Sequence, residues 1–136
     1  MNEPSAGTLS VVVEREMPFP PEKIWRALTQ SHLIEEWLMK NDFRPQEGHR
    51  FNLNASWGGV DCEVRTVVPN RTLTYTWNTK DLESVVTWTL TRTDRGTHLR
   101  MEQSGFRPDQ QPYYRGAKAG WQRFLAELEQ VLARLD

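Results

Sequence analysis

Between Thr8 and Met17 apolar and polar positions alternate, Leu9, Val11 and Val13 against Ser10, Val12 and Glu14, which is the two-residue period of a strand with one buried face. Pro18, Pro20 and Pro21 end that strand, and Pro21 suits the first turn of a helix, where Glu22 favours the positive end. Ile24, Trp25 and Leu28 supply the buried side of this helix. The polar run Thr29-Gln30-Ser31 breaks it, and Ser31 is expected to cap a second short helix in which Leu33, Ile34, Trp37 and Leu38 pack together. An extended piece follows from Asp42 to Pro45.

The period of two then returns and is sustained. Gly48 opens a strand that places Phe51, Leu53, Ala55 and Trp57 on one face, and Trp57-Gly58-Gly59 reads as a hairpin turn. Val60, Cys62 and Val64 alternate with charged residues on the way back. Leu73, Tyr75 and Trp77 form the next inward set, then Val86, Trp88 and Leu90, then Leu99, Met101 and Gln103, with turns near Lys80-Asp81 and at Asp94-Arg95-Gly96. Such a series predicts an antiparallel meander with one packed face and one wet face. From Pro112 to Leu135 the period changes to three and four: Ala117, Gly120, Trp121, Phe124, Leu128, Val131 and Leu135 make one stripe of a helix about 35 Å long. The expected architecture is α+β, a curved antiparallel sheet wrapped around a long C-terminal helix, with two short helices between the first and second strands. Gly120 is expected to let a sheet side chain approach the helix closely, so that a larger residue there would overpack.

Composition narrows the function classes. A chain of 136 residues matches one domain, residues 1–136, with residues 1–7 loose. Cys62 is the only cysteine, which removes a disulfide framework and favours a reducing, cytoplasmic home. Seventeen Lys and Arg against eighteen Asp and Glu, well interspersed, speak against nucleic acid as a partner. Neither a membrane-spanning run nor a secretory leader is evident in the pattern. A monomer or weak dimer is expected. The six tryptophans exceed what a core of this size obviously needs, and indole walls suit a ligand.

A helix laid across a curved sheet leaves a gap at the sheet's open end, the usual place for a small-molecule site. Phe51, Tyr75, Trp77, Trp88, Met101, Tyr113, Ala117 and Trp121 are the expected lining by parity and helical phase, with Gln103 as a polar anchor on the inward side. His49, Trp57 and Phe106 are expected at the rim, where His49 has the range of an acid or base. No catalytic set is identified. Glu35 and Glu36 diverge as neighbours on a helix, and no metal-ligand spacing surrounds Cys62, so neither a metal nor another cofactor is expected. The favoured reading is non-catalytic binding of an apolar or aromatic small molecule, which would be the principal partner.

Several stretches carry a family resemblance. They are Pro20-Pro21-Glu22-Lys23-Ile24-Trp25-Arg26-Ala27-Leu28-Thr29, Glu36-Trp37-Leu38, Gly48-His49-Arg50-Phe51, Val68-Pro69-Asn70-Arg71-Thr72-Leu73-Thr74-Tyr75-Thr76-Trp77, Gly96-Thr97-His98-Leu99 and Gly120-Trp121. In their order the chain resembles the helix-grip, START-like (SRPBCC) superfamily that includes birch-pollen-allergen-like proteins and polyketide cyclases. More closely it is similar to stand-alone members of the heat-shock protein 90 ATPase activator family, homologous to that activator's C-terminal domain. The resemblance implies the helix-grip fold, a link to stress response, and two alternative functions: a protein-interaction module acting on heat-shock protein 90 or another protein, or a cyclase- or hydrolase-like enzyme. Without the activator's additional N-terminal domain, co-chaperone activity is expected to be absent or weak. The family's usual paired glycine before the second strand is here Gly48-His49, a polar ring at the expected mouth.

Overall fold

The computed structural model describes residues 8–135; the expected loose start, residues 1–7, lies outside the described residues. Strand β1 (Leu9–Met17) runs into α1 (Pro21–Thr29) and α2 (Ser31–Trp37), after which come β2 (Lys40–Asn41), β3 (Arg50–Ala55), β4 (Gly58–Val68), β5 (Thr72–Asn78), β6 (Glu83–Thr93), β7 (Gly96–Phe106) and α3 (Gln111–Arg134). The strands form a seven-stranded antiparallel sheet in the order β1-β7-β6-β5-β4-β3-β2. Register shifts at Leu9/Ser10 and Val64/Thr66 break the even ladder, and bulges of this kind bend a strand. The sheet thus curls around α3, as the hydrophobic pattern requires.

Register keeps the apolar positions on one side. Val11 faces Gln103, Val13 faces Met101, and Trp88 lies opposite both Met101 and Leu73, so these side chains share the concave face. The threonines and charges of the alternate positions line the outer face. Against the inner face α3 buries Trp121, Leu125, Leu128, Val131 and Leu132. Leu125 and Leu132 belong to that stripe although the simple three-and-four reading left them out.

Tryptophan is tolerated at this density because its polar edge is satisfied. Trp37 Nε1 donates to the Ala27 carbonyl (2.9 Å), Trp88 Nε1 to the Tyr75 hydroxyl (3.0 Å) and Trp121 Nε1 to Gln103 Oε1 (2.7 Å). A buried indole without such a partner would cost stability. The rings also meet edge to face: Trp88 stands 5.7 Å from both Trp37 and Trp121.

Three local expectations are corrected. Ser31 is not a cap; it is the first residue of α2, and its hydroxyl donates to the Asn41 carbonyl (3.0 Å), tying α2 to β2. Just ahead of the expected extended piece, Lys40–Asn41 forms β2, which pairs with Asn54 and Leu53 of β3, and within that piece Phe43 is buried against Phe51 and Tyr75. The hairpin turn is Ser56-Trp57 rather than Trp57-Gly58-Gly59, because Ala55 pairs with Gly58; Trp57 therefore leaves the packed face and is 63% exposed. Gly120 is no point of close approach, as a Cβ built there meets only Phe124 Cε2 at 4.0 Å. Close approach occurs instead at Gly105, where a Cβ would lie 2.6 Å from the Glu83 carbonyl, and at Gly96, where it would collide with the Met17 carbonyl. There the β6–β7 turn locks onto the β1–α1 link, and Thr97 Oγ1 donates to the Phe19 carbonyl (2.7 Å).

Candidate functional site

The first ten residues of α3 include none that is buried, although this part of the helix lies beside the aromatic end of the sheet. The result is an apolar groove of about 440 Å³. From α3 it takes Pro112, Tyr113, Gly116, Ala117, Gly120, Trp121, Arg123 and Phe124. From the other side come Trp57 of the β3–β4 turn, Trp77 of β5, Thr79 and Leu82 of the turn that follows, Met39, and Gln103 and Phe106 of β7. Hollows of about 590 Å³ occur on the outer surface, but Thr, Asn, Arg and Glu dominate their lining and they offer an organic molecule little apolar contact.

Small residues make the room. Gly116 and Gly120 lie one helical turn apart, and among the described residues none fills the space their missing side chains leave: a Cβ at Gly116 meets no atom within 4 Å, and one at Gly120 meets only Phe124 Cε2 at 4.0 Å. Each glycine costs a helix about 1 kcal/mol relative to alanine. Internal packing gives no return for that cost.

A hydrogen-bond relay fixes the inner wall. Trp121 Nε1 donates to Gln103 Oε1 (2.7 Å), Gln103 Nε2 donates to Ser84 Oγ (2.9 Å), and Ser84 Oγ donates to the Trp77 carbonyl (2.6 Å). Gln103 is only 2% exposed, so its amide is engaged in holding Trp121 against β6 and β7. The loop before α3 is tied down as well: Gln110 Nε2 donates to the Asp81 carbonyl (2.5 Å), the Arg107 amide donates to Gln110 Oε1 (2.9 Å), and the Tyr113 hydroxyl donates to Asp81 Oδ2 (3.0 Å). Sequence reasoning missed Ser84 and Gln110. A serine on the inward parity of β6, opposite Trp77, was the available signal for the first.

The structure brings Trp57, Trp77, Gln103, Phe106, Tyr113, Ala117 and Trp121 together at the groove. It places Phe51, Tyr75, Trp88 and Met101 elsewhere. Trp88 and Met101 are fully buried beneath Trp121, while Phe51 and Tyr75 pack edge to face with Phe43 (5.0 and 6.3 Å), so these four fill the interior instead of lining the opening. His49 is also away from the groove; it stacks parallel to Phe51 and donates from Nε2 to the Asp42 carbonyl (3.0 Å). Lying one residue before β3, it follows that strand's far end rather than the Trp57 end.

Titratable groups at the core are arranged for packing. Burial pushes the Cys62 thiol up to about 12, helped by the Asp61 and Asp42 carboxylates, so it stays protonated and unreactive. Burial likewise raises the Tyr75 hydroxyl, against the opposing effect of its bond from Trp88. Among the described residues no group of three His, Cys, Asp or Glu side chains is arranged to hold a metal ion, and no helix is long and apolar enough to cross a membrane.

The model of one family, described as activator of Hsp90 ATPase homolog 1-like protein, matches residues 18–133. The chain belongs to that family. Among solved structures, a crystal structure of protein MLL2253 from Mesorhizobium loti is 64% identical, with a TM-score of 0.92 over 94% of this chain and 99% of that one. The solution structure of Bacillus halodurans protein BH1534 is 26% identical, with a TM-score of 0.83 over 93% of this chain and 99% of that one. DynU16, a protein in the dynemicin biosynthetic locus, is also 26% identical with a TM-score of 0.83, over 92% of this chain and 47% of its own. No curated protein matches. The stretches that carry the family likeness do structural work here: Trp37 pins α2 to α1, Asn70 takes the positive φ (66°) of the β4–β5 turn, and Gly96-Thr97 locks the β6–β7 turn. Membership therefore accounts for the fold and leaves the groove to speak for function.

Proposed function

We propose that the chain binds a mainly apolar small molecule in the groove beside the first half of α3. The observation that carries this reading is the pair Gly116 and Gly120: two helix-weakening residues face an apolar groove in which the protein itself leaves their side-chain space empty. The volume of about 440 Å³ lies within the range usual for small-molecule sites. Trp57, Trp77 and Trp121 supply flat apolar walls. The kinship in fold with DynU16, named for a biosynthetic locus, supports a small organic ligand over a structural role.

A chemically broad set of small apolar and aromatic compounds, scanned by thermal shift and tryptophan fluorescence, tests the proposal. A ligand at about 100 times its dissociation constant should add roughly 2.7 kcal/mol of stability. Gly120→Leu should abolish that gain while leaving the free protein at least as stable as before. Failure of every compound, or undiminished binding to the leucine variant, would sink it.

A second reading, a protein-interaction surface, draws on Trp57 and Tyr113, which are 63% and 48% exposed at the same opening. Stimulation of heat-shock protein 90 ATPase by the purified chain, lost in Trp57→Ala, would favour it.

A further inference from the structure

We propose that the ligand of this groove is an anion, an apolar or aromatic body bearing a carboxylate, and that Arg123 receives the carboxylate; this rests on reading the groove as a binding site. Arg123 is the only charged residue in the lining. Among the described residues it has neither a hydrogen bond nor an ion pair, whereas Arg134 on the same helix reaches Glu36. Glu127, one turn further on, does not pair with it, and an arginine preceding its acid is the weaker order on a helix.

The surroundings add to the positive field. From Gln110 to Ala126 the chain carries Arg115, Lys118 and Arg123 and no acidic residue. Asp81 lies at the other end of the groove, where it accepts a hydrogen bond from Tyr113, ten positions before Arg123 and hence about 15 Å away along the helix. Glu127, the acid nearest to Arg123 in sequence, does not line the groove.

Geometry gives the ligand a direction. A guanidinium offers two parallel N–H groups to a planar carboxylate, and the pair is stronger when one side is screened from water by an apolar wall. Phe124 and Trp121, whose ring centroids are 5.4 Å apart, line the same groove as the exposed Arg123 and supply such a wall to a ligand that reaches it. The apolar body then extends over Gly120 and Gly116 toward Tyr113.

The test uses matched pairs of probes measured by calorimetry and by chemical-shift perturbation: 2-naphthoate, indole-3-acetate and decanoate, each against its neutral amide. At low salt at least one carboxylate should bind about tenfold more tightly than its amide, the size expected of one charge-assisted contact. Arg123→Gln should remove the preference, so that acid and amide bind alike, while Arg115→Gln should preserve it. Equal affinity of acid and amide for the wild type overturns the anionic ligand alone and leaves the groove reading standing. A preference that survives Arg123→Gln overturns the role of Arg123. Absence of any groove perturbation by all six probes overturns both.

Discussion

From Gln111 to Gly120 no residue of α3 is buried, whereas from Trp121 to Arg134 five are, Leu125, Leu128 and Leu132 completely. The two halves share one helix axis and differ in what they cover. The second half closes the core, and its side chains are large, branched or aromatic where they face the sheet. The first half lies beside Trp57, Trp77 and Phe106 yet presents Gly116, Ala117 and Gly120 to them, so it cannot fill the space. A helix that served only stability would carry larger residues in both halves. The contrast separates residues that hold the fold from residues that keep a place open.

Substitutions should respect that division. Leu128→Ala and Leu125→Ala, in the covering half, should each cost about 2–5 kcal/mol in urea unfolding, since both side chains are fully buried. A loss under about 1 kcal/mol at both sites would erase the contrast. Gln103→Leu sits at the junction: it removes the acceptor of Trp121 Nε1 and the donor to Ser84, and should cost about 1–3 kcal/mol with a shifted Trp121 emission. In the open half the sign reverses. Gly116→Ala and Gly120→Ala should each stabilise by about 0.5–1 kcal/mol, because the new methyl meets no protein atom closer than 4.0 Å. Destabilisation by both would mean that the groove is already filled by the protein.

The smallest effect lies on the outer face, away from either half. His98 receives two carboxylates, Glu16 and Glu14, and these hydrogen bonds raise its pKa above the ordinary 6.5. A raised folded-state pKa stabilises below the ordinary value and loses that contribution as pH climbs through the raised one. The group is surface-exposed, so the effect is small. His98→Gln should therefore lower stability slightly at about pH 5.5 and leave it unchanged at about pH 8.5, a difference that unfolding curves at the two values would register.

Much of this architecture was legible because parity and helical phase act over many residues. The alternations around Val60, Leu73, Val86 and Leu99 and the stripe of α3 each rest on repeated positions, so one misleading residue cannot shift them. The site was less legible. Parity says which face Phe51, Tyr75, Trp88 and Met101 occupy, but not how deep along the strand they lie, and depth decides between lining an opening and filling an interior. Trp57 shows the limit at its sharpest, since a turn starting one residue earlier moved it from the packed face to solvent. Likewise a glycine reads the same whether a neighbour presses on it, as at Gly96, or nothing does, as at Gly120.

The pairing of β1 with β7 has a consequence for how the chain assembles. Leu9 lies opposite Phe106, with nearly the whole sheet between them in sequence, and among the described residues β7 is the only strand with which β1 pairs. The strand synthesised first is thus the last to find its place, while β3 to β7 can zip together turn by turn. Bringing such distant ends together adds little free energy, about 0.6 kcal/mol for each doubling of the loop, but it must be met before any contact offsets it. Slow closure of β1 over a preformed meander is the expected rate-limiting event. Until it happens the edge of β7 stands open to any other strand, so aggregation during refolding should track the exposure of that edge and fall when β1 is supplied early.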